Sequence, residues 1–492
     1  MSSSRECVII WDCGATNTTA SLLGTDGRVI ASASRPTDVE QTEDGVAWPL
    51  DDIWADLCDL TRALLAEHAV EPQVVNLTTF GVCWGAVDAD GELLYPVISW
   101  KCTRTREQLD WATTALDLDD AYRRTGAAPF HFNTAFSLRW LRENRPDVLD
   151  RADAFVLMPQ LLVARLTGER VTERSMATTT MLFDLAEADW SDHLFDAFDV
   201  PNKFPTPTRS PGDVVGEVTA RGSEASGIPA GTPVCAGGHD TVLATAGACR
   251  DLRDTPLYST GTWSILVGTR DAYGGTLDEK ARNIIWQLNP HEGGVLGGYN
   301  TQAHMIGGLA FDAVRSHFAP GASAADATAD AGTVAAGSGG VTINPTFVAG
   351  TGPNPATPSA ILGWEDGMPP ANAVRAVMEG LAYQTRDGLG AMSGDANGMF
   401  VGGGFAKNEV FGQILADVTG LTVELAGIPE VTTVGTAVLA MVGAGVVGSV
   451  EEAWERVAMP TKTFEPASRD AYEQLYARHR RIVDALAESA GV

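Results

Sequence analysis

Apolar positions in this chain fall in short runs separated by small and polar turns. Cys7 to Trp11 is unbroken and stops at Asp12; Gly-Ala-Thr-Asn-Thr follows, and a second run covers Ala20 to Leu23 before the turn Thr25-Asp26-Gly27. Short apolar runs bounded by turn residues predict buried strands, and this pair predicts a β-hairpin. Val29 to Ala33 adds a third strand and Val74 to Phe80 a fourth. Between them, Ile53, Leu57, Leu60 and Leu64 recur with the spacing of one helical face over Leu50 to His68. Further helices are predicted over Thr103 to Ala115, Phe136 to Glu143 and Met158 to Leu166, the last closed by Gly168. Strands alternating with helices predict a layered α/β architecture.

The stretch from Val200 to Pro233 carries Pro201, Pro205, Pro207, Pro211, Pro229 and Pro233, which argues against regular helix and marks the approach to a domain boundary. Beyond it, Leu257 to Val267 repeats the opening theme of strand, small-residue turn and strand. Ser259-Thr-Gly-Thr262 echoes Asp12-Cys-Gly-Ala-Thr16, a hint of internal duplication. Ala371 to Met392 predicts a long helix, and Met399 to Gly404 a strand entering a glycine turn before a helix over Val410 to Thr419. Helices over Val434 to Gly445 and Ser468 to Ala487 close the chain.

A length of 492 residues is enough for two to four domains at about 150 residues each. Lys and Arg number 34 against 63 Asp and Glu, and the net charge of −29 repels nucleic-acid phosphates and anionic lipid alike. Only Lys101, Lys203, Lys280, Lys407 and Lys462 are lysines, which together with the acidic excess points to a carboxylate surface adapted to a salty, halophilic cytoplasm. The seven cysteines are scattered with no C-x-x-C pair and read as reduced, mostly buried thiols. Met1 to Glu6 offers neither an apolar core nor a small-residue cleavage site, so a cytoplasmic location is expected. Val434 to Val450 falls short of the roughly 20 apolar residues of a membrane span.

The lysines also exclude a chemistry. None follows a glycine, so the P-loop pattern G-x-x-x-x-G-K cannot occur, and the eight histidines include no H-E-x-x-H. Asp12 ends a predicted buried strand beside Gly14, Ala15, Thr16, Asn17 and Thr18, where backbone N–H groups and hydroxyls can converge on an anion while the carboxylate holds a metal; an ordinary hairpin turn has the same composition. Gly237-Gly238-His239-Asp240 leaves three readings open: Asp240 as general base, His239 as base with Asp240 orienting it, or a helix cap. Gly402, Gly403 and Asn408 lie where a flat adenine could rest on backbone, or form a plain loop. Trp84, Trp100 and Trp263 sit in or beside turns, available to a sugar face or to the core.

Taken in order, these turns resemble the FGGY family of carbohydrate kinases over nearly the whole chain. Leu93 to Cys102, Phe132-Asn-Thr134, Leu138 to Asn144 and Asp12 to Asn17 are most similar to its L-fuculokinase branch. The resemblance implies two actin-like (ribonuclease H-like) α/β domains of the sugar kinase, heat-shock ATPase and actin fold, with a cleft between them. Residues 1–245 would form a sugar-binding domain and residues 246–492 a nucleotide-binding domain. It implies ATP-dependent phosphorylation of the terminal hydroxyl of a ketose, L-fuculose first, with Mg²⁺ as cofactor and a homodimer by family habit. Asp240 would then be the base and Asp12 the metal residue. Gly14, Ala15, Thr16, Asn17, Thr260, Gly261 and Thr262 would hold phosphate, with Gly402, Gly403 and Asn408 at the adenosine. Cys83, Trp84, Trp100, His239 and Asp240 would meet the sugar. Fuculokinases place an aspartate and a glycine where Cys83 and Trp84 stand, and commonly a lysine at Ser137; Val82 to Ala86 is about as similar to xylulokinases, which keeps xylulokinase-like and rhamnulokinase-like substrates in play. A non-catalytic ATP-gated sugar sensor could share the fold, although Asp240 argues against it. A DNA-binding repressor would need a basic helix-turn-helix extension that neither end supplies.

Overall fold

A computed structural model describes residues 5–291, 294–348, 350–392, 396–428, 430–457 and 459–489. The opening hairpin forms as expected, with strands Arg5–Cys13 and Asn17–Gly24 antiparallel and Val29–Pro36 continuing the meander. Helix Leu50–Glu67 buries Ile53, Leu57, Leu60 and Leu64, the stripe its spacing predicts. Strand Val70–Thr79 then lies parallel to Arg5–Cys13. The first sheet runs in the order Val214–Glu217, Pro233–Cys235, Val70–Thr79, Arg5–Cys13, Asn17–Gly24, Val29–Pro36, with the short strand Gly238–His239 also pairing with Val70–Thr79.

A second sheet repeats the plan. Leu257–Thr260, Trp263–Arg270 and Tyr299–Ile306 form an antiparallel meander, and Gly398–Gly403 pairs parallel to Leu257–Thr260. Ile284–Leu288 closes one edge, while Thr422–Ala426 and Thr461–Phe464 extend the other. A meander beside parallel strands in both sheets carries the duplication further than the few echoed residues do.

Several boundaries shift for local reasons. The helix expected from Thr103 starts at Arg106, because Arg106 N–H closes a turn on the Thr103 carbonyl. The proline-rich connection does contain a helix, Ala220–Ser226, in the 17-residue interval between Pro211 and Pro229; Thr219 caps its start through Gly222 N–H and Gly227 ends it. The segment expected at Val434–Gly445 is helical over Val431–Gly443. All seven cysteines are unpaired and all but Cys249 buried. Burial pushes the Cys7, Cys13 and Cys58 thiols up to about 12, so they are neutral at physiological pH. Among the described residues no helix is long and apolar enough to cross a membrane.

The two halves are joined by helices Asp240–Gly247 and Val431–Gly443, which cross in contact with each other, the latter also lying on Arg5–Cys13 and Val70–Thr79. The crossing depends on missing side chains. A Cβ on Gly435 would stand 2.0 Å from the Leu243 carbonyl oxygen, and one on Gly247 1.9 Å from that of Val431.

Candidate active site

Strand register brings the two aspartates together. Thr78 pairs with Asp12 on one side and with Gly238 on the other, so the Asp12 and Gly238 backbones lie two strand spacings apart, about 10 Å. Asp240 follows as the first residue of helix Asp240–Gly247. Burial, and after it the negative charge of Asp240, lift Asp12 from 3.8 to about 7. The register thus sets the two carboxylates at the same end of the first sheet. Thr78, in the row between them, has a buried hydroxyl with no partner among the described residues.

Asp240 is the accessible member of its pair. Its side chain is 37% exposed against 10% for His239, whose Nε2 lies 3.3 Å from Asp240 Oδ1. Oδ1 also accepts from Thr241 N–H at 2.6 Å and Thr241 Oγ1 at 3.2 Å. The N-cap position of the helix belongs to His239, which makes no side-chain cap bond, while Asp240 takes the first-turn Thr241 N–H. The turn itself is anchored from below: His239 N–H donates to Ser175 Oγ, which donates to Glu173, and Glu173 accepts Ser175 and Met176 N–H at the start of helix Arg174–Ala177. Burial raises Glu173 to about 7.

Beside His239 lies the loop Gly81–Trp84. Val82 holds φ +64°, a left-handed conformation costly for a β-branched residue. Two hydroxyls enforce it: Thr134 Oγ1 donates to the Val82 carbonyl at 2.6 Å, and Val82 N–H donates to Thr179 Oγ1 at 2.9 Å. Next to the loop is a pocket whose walls include Trp84, Trp100, Phe132, Ser137 and Arg104. Arg104 stacks 3.8 Å over Trp140 and donates through Nη1 to Tyr95 OH and the Asp44 carbonyl. Its Nε and Nη2 are buried and have no partner among the described residues. Cys83 and Trp84 are only 3% and 6% exposed, and Trp84 Nε1 donates to Ser137 Oγ, so these two shape the pocket from its wall. Trp100 is half-buried, edge-on to Phe132.

The turns expected to hold phosphate come from both sheets. In the first, Gly14 N–H donates to the Asn17 carbonyl, leaving Thr16 and Asn17 exposed, and Ala15, just before them, receives Lys101 Nζ on its carbonyl at 3.0 Å. In the second, Gly261 and Thr262 are exposed, while Thr260 is buried and ties two turns together: its hydroxyl donates to the Gly402 carbonyl and accepts Phe405 N–H. Asn408 caps helix Glu409–Thr419 through Phe411 N–H. Gly402 is buried beside Val431 and Gly403 crosses the Thr260 backbone at φ +81°.

Of the residues singled out from sequence, Asp12, His239 and Asp240 thus meet at one sheet end. The Thr260 and Gly402 turns are bonded to each other on the second sheet. Sequence reasoning passed over Thr78, Arg104, Ser175, Thr179 and Gln287, and met Thr134 only inside the Phe132-Asn-Thr134 motif. Most are single hydroxyls whose significance arises from long-range pairing. Asn300, Gln302 and His304 did leave a signal, polar residues at alternate positions of an otherwise buried strand.

Residues 7–247 match the model of the FGGY family of carbohydrate kinases, N-terminal domain, and residues 257–444 that of its C-terminal domain. L-fuculokinase of Escherichia coli (strain K12) is 28% identical over 496 aligned positions, 95% of this chain and 99% of that protein. Glycerol kinase of Symbiobacterium thermophilum is 28% identical over 97% of each chain. The xylulose kinase structure from Lactobacillus acidophilus superposes with a TM-score of 0.89 over 99% of both chains at 20% identity, a likeness of fold.

Proposed function

The chain belongs to the FGGY family of carbohydrate kinases, ATP-dependent phosphotransferases, and we propose that it phosphorylates the terminal hydroxyl of a ketose, L-fuculose before other sugars. The observation that carries this reading is the register of the first sheet, in which Thr78 pairs with Asp12 on one side and Gly238 on the other and so brings Asp12 and Asp240 to the same sheet end. One carboxylate on each side of the attacking oxygen's path is what phosphoryl transfer asks of the protein, because the reaction is mainly positioning and charge control.

In the proposed step Asp240 accepts the proton of the attacking hydroxyl. The oxygen–phosphorus bond forms as the bond from the γ-phosphorus to its bridging oxygen breaks, and ADP departs. The exposed residues Thr16, Asn17 and Thr262 would bind the phosphates, with Gly14, Ala15 and Gly261 shaping the two turns, the Gly14 and Gly261 N–H groups being taken by the Asn17 and Trp263 carbonyls, and Thr260 holding its turn in place. Gly402, Gly403 and Asn408 would shape the adenosine site. Trp100, Arg104 and His239 would contact the sugar, with Cys83 and Trp84 setting the width of its pocket. Residues 1–245 would carry the sugar and 246–492 the nucleotide.

The residues present fit Mg²⁺. Asp12 is a carboxylate short of compensating positive charge, and the unpartnered Thr78 hydroxyl adds a hard oxygen in the same row. Asp12 would hold the ion, which when bound neutralises phosphate charge. The test is ATP turnover with L-fuculose, L-rhamnulose, D-xylulose and L-ribulose. Highest kcat/KM on L-fuculose supports the reading; preference for D-xylulose or L-rhamnulose replaces the sugar, and nucleotide binding without turnover on any sugar favours a sensor.

A further inference from the structure

Behind His239 a buried chain of amides connects the candidate base to the edge of the second sheet. Its direction can be read from one backbone carbonyl. The Leu288 carbonyl can only accept, so the Asn300 amide nitrogen, 3.3 Å away, must donate to it. Asn300 Oδ1 therefore faces Gln302, and the Gln302 nitrogen 2.6 Å from it is a donor. That same nitrogen lies 2.6 Å from Gln287 Oε1, while Gln302 Oε1 accepts from His304 Nε2 at 2.7 Å. Gln287 consequently presents an oxygen to His239 Nδ1 at 3.1 Å, and Nδ1 must carry the hydrogen.

We propose that Gln287 is a positioning residue for the phosphoryl transfer assigned above: by accepting from His239 Nδ1–H it keeps the Nε2 lone pair facing Asp240 and the substrate. The proposal rests on the kinase reading. In this tautomer the Nε2 lone pair rather than an N–H faces Asp240 Oδ1 at 3.3 Å, so His239 does not compete with the substrate hydroxyl as a donor to that oxygen. The opposite tautomer would donate Nε2–H into the same oxygen and compete with the substrate for it. No proton is transferred to His239; the substrate proton ends on Asp240.

Space at Nε2 is kept open. A Cβ on Gly81 would lie 3.2 Å from Nε2 and 2.8 Å from Thr179 Cγ2. The groups acting on the ring are Asp240 from its own helix, Gln287 and His304 from the second sheet, and Ser175 at its backbone; His304, held down at about 3 by burial and by His239, is neutral under assay conditions. Gln287 and Gln302 belong to the second sheet and His239 to the first, so the tautomer is set by a contact between the two halves of the chain.

The test is ¹⁵N-histidine NMR of the whole protein, with His239 assigned by its loss in His239→Gln. The expected wild-type signature is Nδ1–H with an unprotonated Nε2. Gln287→Met should mix the tautomers and lower kcat about tenfold or more with KM for ATP unchanged, whereas Gln287→Glu, which keeps the acceptor, should retain the Nδ1–H signature. Gln302→Met tests the same chain from the next link and should also mix the tautomers. A wild-type Nε2–H signature overturns the proposal, as does Gln287→Met with unchanged tautomer and kcat. If no sugar is phosphorylated, the kinase reading fails while the NMR result still decides the tautomer.

Discussion

Replacing Asp12 by Asn should make the protein more stable and less active, and the balance should depend on pH. Asp12 rises from 3.8 unfolded to about 7 folded, through burial and then the charge of Asp240. A raised carboxyl means that the folded state holds its proton more tightly than the unfolded chain does. Below pH 3.8 both states are protonated and the group contributes nothing. Between pH 4 and 7 the unfolded chain ionises first, so the folded state loses stability progressively, reaching a plateau above 7. Full linkage puts the plateau near 4 kcal/mol, and solvent screening of a residue that is only partly buried reduces this to about 2 kcal/mol. Calorimetric melting of wild type and Asp12→Asn from pH 4.5 to 8.5 should show a gap of about a quarter of its full size at the acid end that widens to a few degrees at the alkaline end, with the variant higher. Mg²⁺ with a non-hydrolysable ATP analogue should then raise the wild type more than the variant. A variant no more stable than wild type at pH 8, or a gap independent of pH, would refute the reasoning.

Asp240→Asn should reduce sugar-dependent ATP turnover by about 100-fold or more while nucleotide binding measured by calorimetry persists; near-normal turnover removes Asp240 as the base. Gly435→Ala should lower the melting temperature, since its Cβ would stand 2.0 Å from the Leu243 carbonyl and overpacking costs about 1–3 kcal/mol; an unchanged melt would mean the crossing helices part freely. Thr134→Val removes the hydroxyl that holds Val82 at φ +64°, so KM for the sugar should rise about fivefold with KM for ATP constant; equal changes in both would point to global damage. With 63 acidic residues against 34 basic, melting in 0.1 and 2 M KCl should favour high salt, and full stability without added salt would remove the proposed salt adaptation.

The amino-acid order alone determined the local elements and the positions of the reactive turns. Ile53, Leu57, Leu60 and Leu64 declare their helix because a buried stripe must recur with the helical period, and Gly168 ends its helix because an αL residue is cheapest as glycine. Asp12 and Asp240 were visible as carboxylates at strand and turn ends. The order did not reveal that Thr78 lies between their strands, that Thr260 is spent on the Gly402 carbonyl, or that Cys83 and Trp84 sit in the pocket wall. It was equally silent on Gln287, whose partner His239 is 48 residues away on the other sheet. Periodicity records what a residue does to its neighbours along the chain. Hydrogen-bond partners, burial of a particular side chain and the charge one carboxylate feels from another depend on which strands lie side by side, and only folding decides that.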